Sequence, residues 1–218
     1  MSRTYDCADL DEREAGVREA ADAVSRGELV VLPTDTVYGV GADAFTPDAV
    51  GALLAAKARG RDLPVPVLVG SETMLSGIVS DLPDDASVLT GEFWPGGLTI
   101  IVRHAPSLAW DLGDSLGTVA VRMPLHPVAL ALIAETGPLA VSSANVSGSP
   151  PAVTVDEAAD QLGDSVAVYL DGGRCEDSVP STIVDLTGDV PYVSRVGVIG
   201  LEELRKVLPG LAESNPAE

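Results

Sequence analysis

The sequence predicts an α/β fold, a twisted mixed sheet of about seven strands flanked by helices. Short apolar runs rich in β-branched residues alternate along the chain with stretches of helical period. The runs carry little polar alternation, as expected of a sheet covered on both faces. Several connections are too short for a β-α-β crossover, so the sheet should be mixed rather than wholly parallel. No internal period or low-complexity linker divides the chain, and 1–218 reads as one domain. Within it, 1–27 forms an N-terminal helical region and 199–218 a C-terminal helix and tail.

The elements follow in order. Between 11 and 26, Val17, Ala20, Ala21 and Val24 recur at i, i+3, i+4 and i+7, and Gly27 stands where a helix C-cap belongs. This helix feeds a strand over 29–32, ended by Pro33. Thr46 and Pro47 read as N-cap and first helical residue of a helix reaching about Lys57. Strands follow at 65–69, 98–102 and 119–122, then a helix at 127–136 and a strand at 139–142. Thr154 and Glu157 make a capping box ahead of a short helix. Strands at 166–170, 182–186 and 192–196 precede a last amphipathic helix marked by Leu201, Leu204, Val207 and Leu208, and 214–218 reads as a frayed tail.

Composition narrows the function. An apolar content of 46% over 218 residues excludes disorder, and a chain of this size should bury about 70% of its unfolded surface. With 33 acidic against 13 basic residues the net charge is −20, which disfavours direct nucleic-acid binding. Cys7 and Cys175 form no CxxC pair, arguing against a zinc ribbon or a disulfide framework and pointing to the reducing cytoplasm. The first 16 residues are polar and acid-rich, unlike a secretory leader. The apolar stretches at 65–69 and 128–134 fall far short of the ~20 residues of a membrane helix. There is no GxxxxGK(S/T) or HExxH motif, and His104 and His126 are isolated, so nothing supplies a base to a nucleophile and covalent catalysis is disfavoured.

Four segments carry chemistry. Residues 33–42, PTDTVYGVGA, lie at a strand end, where Thr34 and Thr36 hydroxyls suit a small polar ligand; a tight turn explains the same residues. Gly39-x-Gly41-x-x-Ala44 matches a dinucleotide fingerprint only loosely, because six residues separate Leu32 from Gly39. Lys57, Arg59 and Arg61 gather three of the 13 basic residues, either as a polyanion site or as cations complementing a helix C-terminus, on exposed helix-end backbone. Residues 142–148, SSANVSG, fit a phosphate, ribose or base edge, and equally a turn. Thr118 and Arg122 share a strand, Ser181 begins another and Arg195 ends a third. Arg122, set among apolar residues, requires a carboxylate from an internal Asp or from a ligand.

Six segments in the same order, PTDTVYGVGADAF, KARGRDLPVPVLV, FWPGGLTIIV, TVAVRMPLHP, PLAVSSANVSG and STIVDL with VSRVG, resemble the YrdC/TsaC family of threonylcarbamoyl-AMP synthases over about 28–198. The resemblance implies a YrdC-like sheet with a large concave cavity. It also implies a nucleotidyltransferase that makes L-threonylcarbamoyl-AMP from L-threonine, bicarbonate and ATP, releasing pyrophosphate. Partner proteins would pass the group to tRNA, and Mg²⁺ would arrive with ATP rather than in a dedicated protein site. By the same resemblance, Lys57 and Arg59 act on the phosphates as catalytic residues, and Thr36, Arg122 and Ser181 hold threonine. Arg59, Leu63, Thr118, Ser143, Asn145 and Arg195 contact ATP. Leu68 stands where the family often has a threonine-contacting histidine, and the extra C-terminal domain of longer members has no counterpart here. Two rival readings stay open: a relative forming a carbamoyl adenylate from carbamoyl phosphate, and a non-catalytic module for double-stranded RNA or tRNA, which the charge of −20 opposes.

Overall fold

The computed structural model describes residues 2–175 and 179–216. After β1 (Arg3–Asp6), helix α1 (Leu10–Ser25) starts at Asp9, whose carboxylate accepts from the Asp11 and Glu12 amides, and it ends before Gly27 at φ +78°. Strands β2 (Val30–Leu32) and β3 (Gly39–Asp43) follow, then α2 (Pro47–Ala56) and β4 (Val67–Leu68). Helices α3 (Glu72–Ile78) and α4 (Asp84–Phe93) lead to β5 (Leu98–Arg103), β6 (Thr118–Arg122), α5 (Pro127–Thr136) and β7 (Leu139–Ser143). The chain closes with α6 (Val155–Leu162), β8 (Val168–Asp171), β9 (Thr182–Asp185), β10 (Tyr192–Arg195) and α7 (Leu201–Val207).

The strands form one mixed sheet in the order β1-β8-β2-β3-β7-β4-β6-β5-β9-β10, ten strands where about seven were expected. The strands the sequence reading omits are β1, a polar edge strand, and β3, whose glycines imitate a turn. In β3 the glycine has a packing reason: a Cβ on Gly39 would lie 2.6 Å from Val141 Cγ1. The reading of 33–42 as a turn is therefore corrected for Gly39 onward, which pairs along β2 and β7. Helices α3 and α4 stand where the sequence pattern predicts no helix; Ser71 caps α3, and no side chain caps α4. The capping box at α6 is half formed. Thr154 accepts from the Glu157 amide, but Glu157 accepts from Val153 rather than from the cap itself.

Both faces of the sheet are covered because adjacent strand residues point to opposite cores. Val30 and Leu32 join Val17, Ala20 and Val24 of α1 and Leu132 and Ile133 of α5. Val31 joins Leu53 of α2, Leu89 of α4, Leu162 of α6 and Leu204 of α7. Among the described residues no helix is long and apolar enough to cross a membrane. Of the tail expected over 214–218, residues 217 and 218 lie outside the described residues.

Candidate active site

Strands β6, β5 and β9 lie side by side, with β5 antiparallel to β6 and parallel to β9. Their alternation sends Ile100, Val121 and Val184 into the core. The opposite phase, Thr99 and Ile101, Thr118, Ala120 and Arg122, and Ser181, Ile183 and Asp185, lines a cavity of about 460 Å³. Its remaining wall comes from the strand-end segments with Thr36, from Arg59, Pro64 and Leu68, from Ser115, from Ser142 and Ser143, and from Arg195. The cavity thus sits where several strand ends meet, and residues distant in sequence converge on it.

Three arginines face this space, and two of them, Arg59 and Arg195, are fixed by neutral acceptors. Arg59 donates from Nε to the Leu63 carbonyl (2.7 Å), from Nη2 to the Pro64 carbonyl (3.1 Å) and from Nη1 to Ser142 Oγ (3.3 Å). Arg195 donates to the Ser181 carbonyl from Nε (3.2 Å) and Nη2 (2.8 Å), and from Nη2 to Ser181 Oγ (3.1 Å). Burial pulls the pKa of both below the ordinary arginine value, and the charges of Arg122 and Arg59 add to the effect at Arg195. Guanidinium groups stay protonated regardless. Among the described residues no carboxylate lies within ion-pair distance of Arg59 or Arg195, although Asp62 acts on Arg59 from farther off, so both guanidinium groups are oriented and available to an anion.

Arg122 differs. It is 7% exposed and pairs with Asp35, Nη2 to Oδ1 at 2.6 Å; Nη1 donates to Thr36 Oγ1 at 2.8 Å and Nε to the Gly96 carbonyl at 2.9 Å. Of the two carboxylate sources the sequence leaves open, the structure supplies an internal one, Asp35. That residue is absent from the sequence-derived candidates, although its place between Thr34 and Thr36 could have marked it. Thr36 also lies 3.1 Å, Oγ1 to Oγ1, from Thr34. On the far side Ser181 Oγ lies 2.8 Å from Thr99 Oγ1. Thr99 is the second missed residue, and its signal was a hydroxyl in the cavity-facing phase of an otherwise apolar strand.

The expectation that Lys57 sits on exposed backbone is corrected. It is the C-cap of α2, only 1% exposed, and does not line the cavity. Its ammonium donates to the Ser143 carbonyl and to the Asn145 carbonyl (2.6 Å), while its own carbonyl accepts from the Ser147 amide (2.8 Å). The residue therefore fastens the strand-end loop after β7 from behind. Burial, with a smaller contribution from Arg59, pushes its pKa down to about 8. Asn145 lies in the same loop, its Nδ2 donating to the Val146 and Ser149 carbonyls, and its buried Oδ1 has no partner. Arg61 turns outward to Asp111 (2.7 Å) and Asp114 (3.5 Å) and adds no charge to the cavity, which corrects the three-residue cluster to Arg59 alone. Leu63 is 54% exposed beside the cavity and enters the site through its carbonyl's bond with Arg59. Thr36, Arg59, Thr118, Arg122, Ser143, Ser181 and Arg195 are thus brought together around one cavity; Lys57, Leu63 and Asn145 stand just behind its wall.

The arrangement can hold two anions against each other, one on paired hydroxyls and a neutralised arginine, the other on two guanidinium groups that make no ion pair among the described residues. Comparisons with known proteins bear on this geometry. The Sua5, YciO and YrdC family model, described as telomere recombination, matches residues 22–197. A Mycobacterium tuberculosis relative is 57% identical over 208 residues, 95% of this chain and 96% of its own. The Bacillus subtilis threonylcarbamoyl-AMP synthase is 37% identical over 215 residues, 95% of this chain and 62% of that protein. The crystal structure of Pyrococcus abyssi Sua5 complexed with L-threonine superposes with a TM-score of 0.91 at 34% identity, covering 100% of this chain and 63% of that one. This chain therefore spans less than two thirds of those two longer relatives.

Proposed function

The chain belongs to the Sua5/YciO/YrdC family, and on that premise we propose that its cavity makes L-threonylcarbamoyl-AMP from L-threonine, bicarbonate and ATP, as a nucleotidyltransferase serving threonylcarbamoyladenosine modification of tRNA. Threonine's amine and bicarbonate combine, with loss of water, into a carbamate. A carbamate oxygen then forms a bond to the α-phosphorus as the bond from that phosphorus to the β-phosphate bridging oxygen breaks, and pyrophosphate leaves. No protein nucleophile takes part; the demands are alignment and neutralisation of developing phosphate charge.

The observation that carries this reading is the convergence of Arg59, Arg122 and Arg195 on one cavity of a chain with net charge −20. Arg122, Thr36 and Ser181 hold the amino acid, with Arg122 offering its remaining N–H groups to the carboxylate. Arg59 and Arg195 hold the phosphates, helped by Ser143 and Thr118, with Leu63 and Asn145 shaping the nucleotide side. Lys57 acts on the reaction through the Ser143 and Asn145 backbone that it fastens. Mg²⁺ would arrive with the nucleotide and supply charge neutralisation at its phosphates. Partner proteins would then carry the product to tRNA.

Pyrophosphate release from ATP, measured with each substrate omitted in turn, tests the reading. Release should require both L-threonine and bicarbonate. Release that proceeds equally without threonine would overturn it.

A further inference from the structure

Asp35 is, among the described residues, the carboxylate paired with a cavity arginine, and it lines a different cavity from the one that Arg122 faces. Its Oδ1 accepts from Arg122 Nη2 (2.6 Å) and from the Leu125 amide (2.8 Å). It lines a second cavity of about 260 Å³, shared with Thr34, His126, Arg174 and Cys175, and is absent from the walls of the first. The other two cavity arginines have no carboxylate partner among the described residues, while Arg122 has one. Two acids do line the first cavity, but Asp114 is 62% exposed and near Arg61, and Asp185 accepts from Thr187 and Tyr192.

We propose that Asp35 is a positioning residue that sorts the two anionic reactants: it orients Arg122 and cancels its charge, so that the amino-acid end of the cavity does not capture polyphosphate. The two ligand types respond to different properties of the site. A carboxylate carries one charge and is satisfied by oriented donors, which Arg122 retains, because three of its five N–H groups are engaged. A triphosphate carries several charges and follows the net potential, which is positive at Arg59 and Arg195 and compensated at Arg122. Without the Asp35 charge, Arg122 becomes a third cation without an ion pair, beside Arg195. Polyphosphate then spans both ends and excludes threonine.

The inference rests on the reaction proposed above, and its test separates the two. Asp35→Asn keeps an oxygen for Arg122 and for the Leu125 amide but removes the charge. Tripolyphosphate binding, measured by calorimetry on the purified protein, requires no turnover and should tighten about tenfold in this variant. In the pyrophosphate-release assay tripolyphosphate should compete with ATP alone in the wild type. In Asp35→Asn it should compete with L-threonine as well, and the threonine KM should climb with ATP concentration while kcat at saturating threonine stays within about threefold. The double variant Asp35→Asn/Arg122→Gln loses both charges and should return to wild-type tripolyphosphate affinity; it also serves if the single variant does not fold. Unchanged tripolyphosphate affinity in Asp35→Asn overturns the proposal, and so does a double variant that binds tripolyphosphate about tenfold more weakly than wild type. A wild type that releases no threonine-dependent pyrophosphate refutes the reaction, and the calorimetry still decides the role of Asp35.

Discussion

Replacing Lys57 with methionine distinguishes fastening of a loop from contact with phosphate. Lys57 is 1% exposed, and burial with the nearby Arg59 lowers its pKa from 10.5 to about 8. That gap corresponds to ~3 kcal/mol against the charged form. For a lysine depressed in this way, the linked stability is complete above the unfolded value and is lost as pH falls through about 8, so the charge costs the folded state at neutral pH. Charge-assisted bonds to the Ser143 and Asn145 carbonyls return ~1.5–3 kcal/mol each. Methionine has similar volume and abolishes both effects. Stability should therefore fall by only ~1–2 kcal/mol, a few degrees in Tm. The two carbonyls lose their donor, the end of β7 at Ser143 and the loop after it loosen, and kcat for pyrophosphate release should drop about 100-fold with the KM for ATP little changed. In the wild type the same fastening weakens as pH rises through about 8, so activity should decline there, and this limb should vanish in Lys57→Met. Thermal melts and initial rates across the pH range provide the readout. A variant with kcat within about threefold of wild type, or one that loses ATP affinity with kcat intact, would refute the fastening argument.

Three further outcomes are expected. Arg59→Ala should lower kcat/KM for ATP by about 100- to 1000-fold with a melting temperature close to wild type, since its bonds go to half-exposed carbonyls; steady-state kinetics with a melt control check this, and an unchanged kcat/KM would remove Arg59 from the phosphate grip. Thr36→Val should raise the threonine KM about tenfold and leave the ATP KM alone, because it deletes the hydroxyl bonded to Arg122 at 2.8 Å; a rise in the ATP KM instead would put Thr36 on the nucleotide side. Gly39→Ala should destabilise the fold by ~1–3 kcal/mol in urea unfolding, because the added Cβ meets Val141 at 2.6 Å; no change in midpoint would mean that β3 and β7 separate freely.

Local pattern, read from the sequence, determined those parts of this protein that local pattern controls. The period of Val17, Ala20 and Val24 dictates α1, the Thr46-Pro47 and Thr154 starts dictate α2 and α6, and the apolar runs fix most of the sheet. Ordered motifs located Thr36, Arg59, Arg122, Ser143, Ser181 and Arg195, and the structure places them around one cavity. Tertiary structure alone decided the rest. Strand β3 depends on a close approach to β7 across about a hundred residues of chain, which local propensity does not encode. Whether Lys57 faces solvent, phosphate or carbonyls depends on how the loop after β7 folds back over the end of α2. Asp35 cancels Arg122 only because β6 delivers a guanidinium to it from 87 residues away. Charge balance in a buried site is a sum over groups that only folding brings within a few ångströms, so a sequence names the charges while the fold decides which remain unpaired.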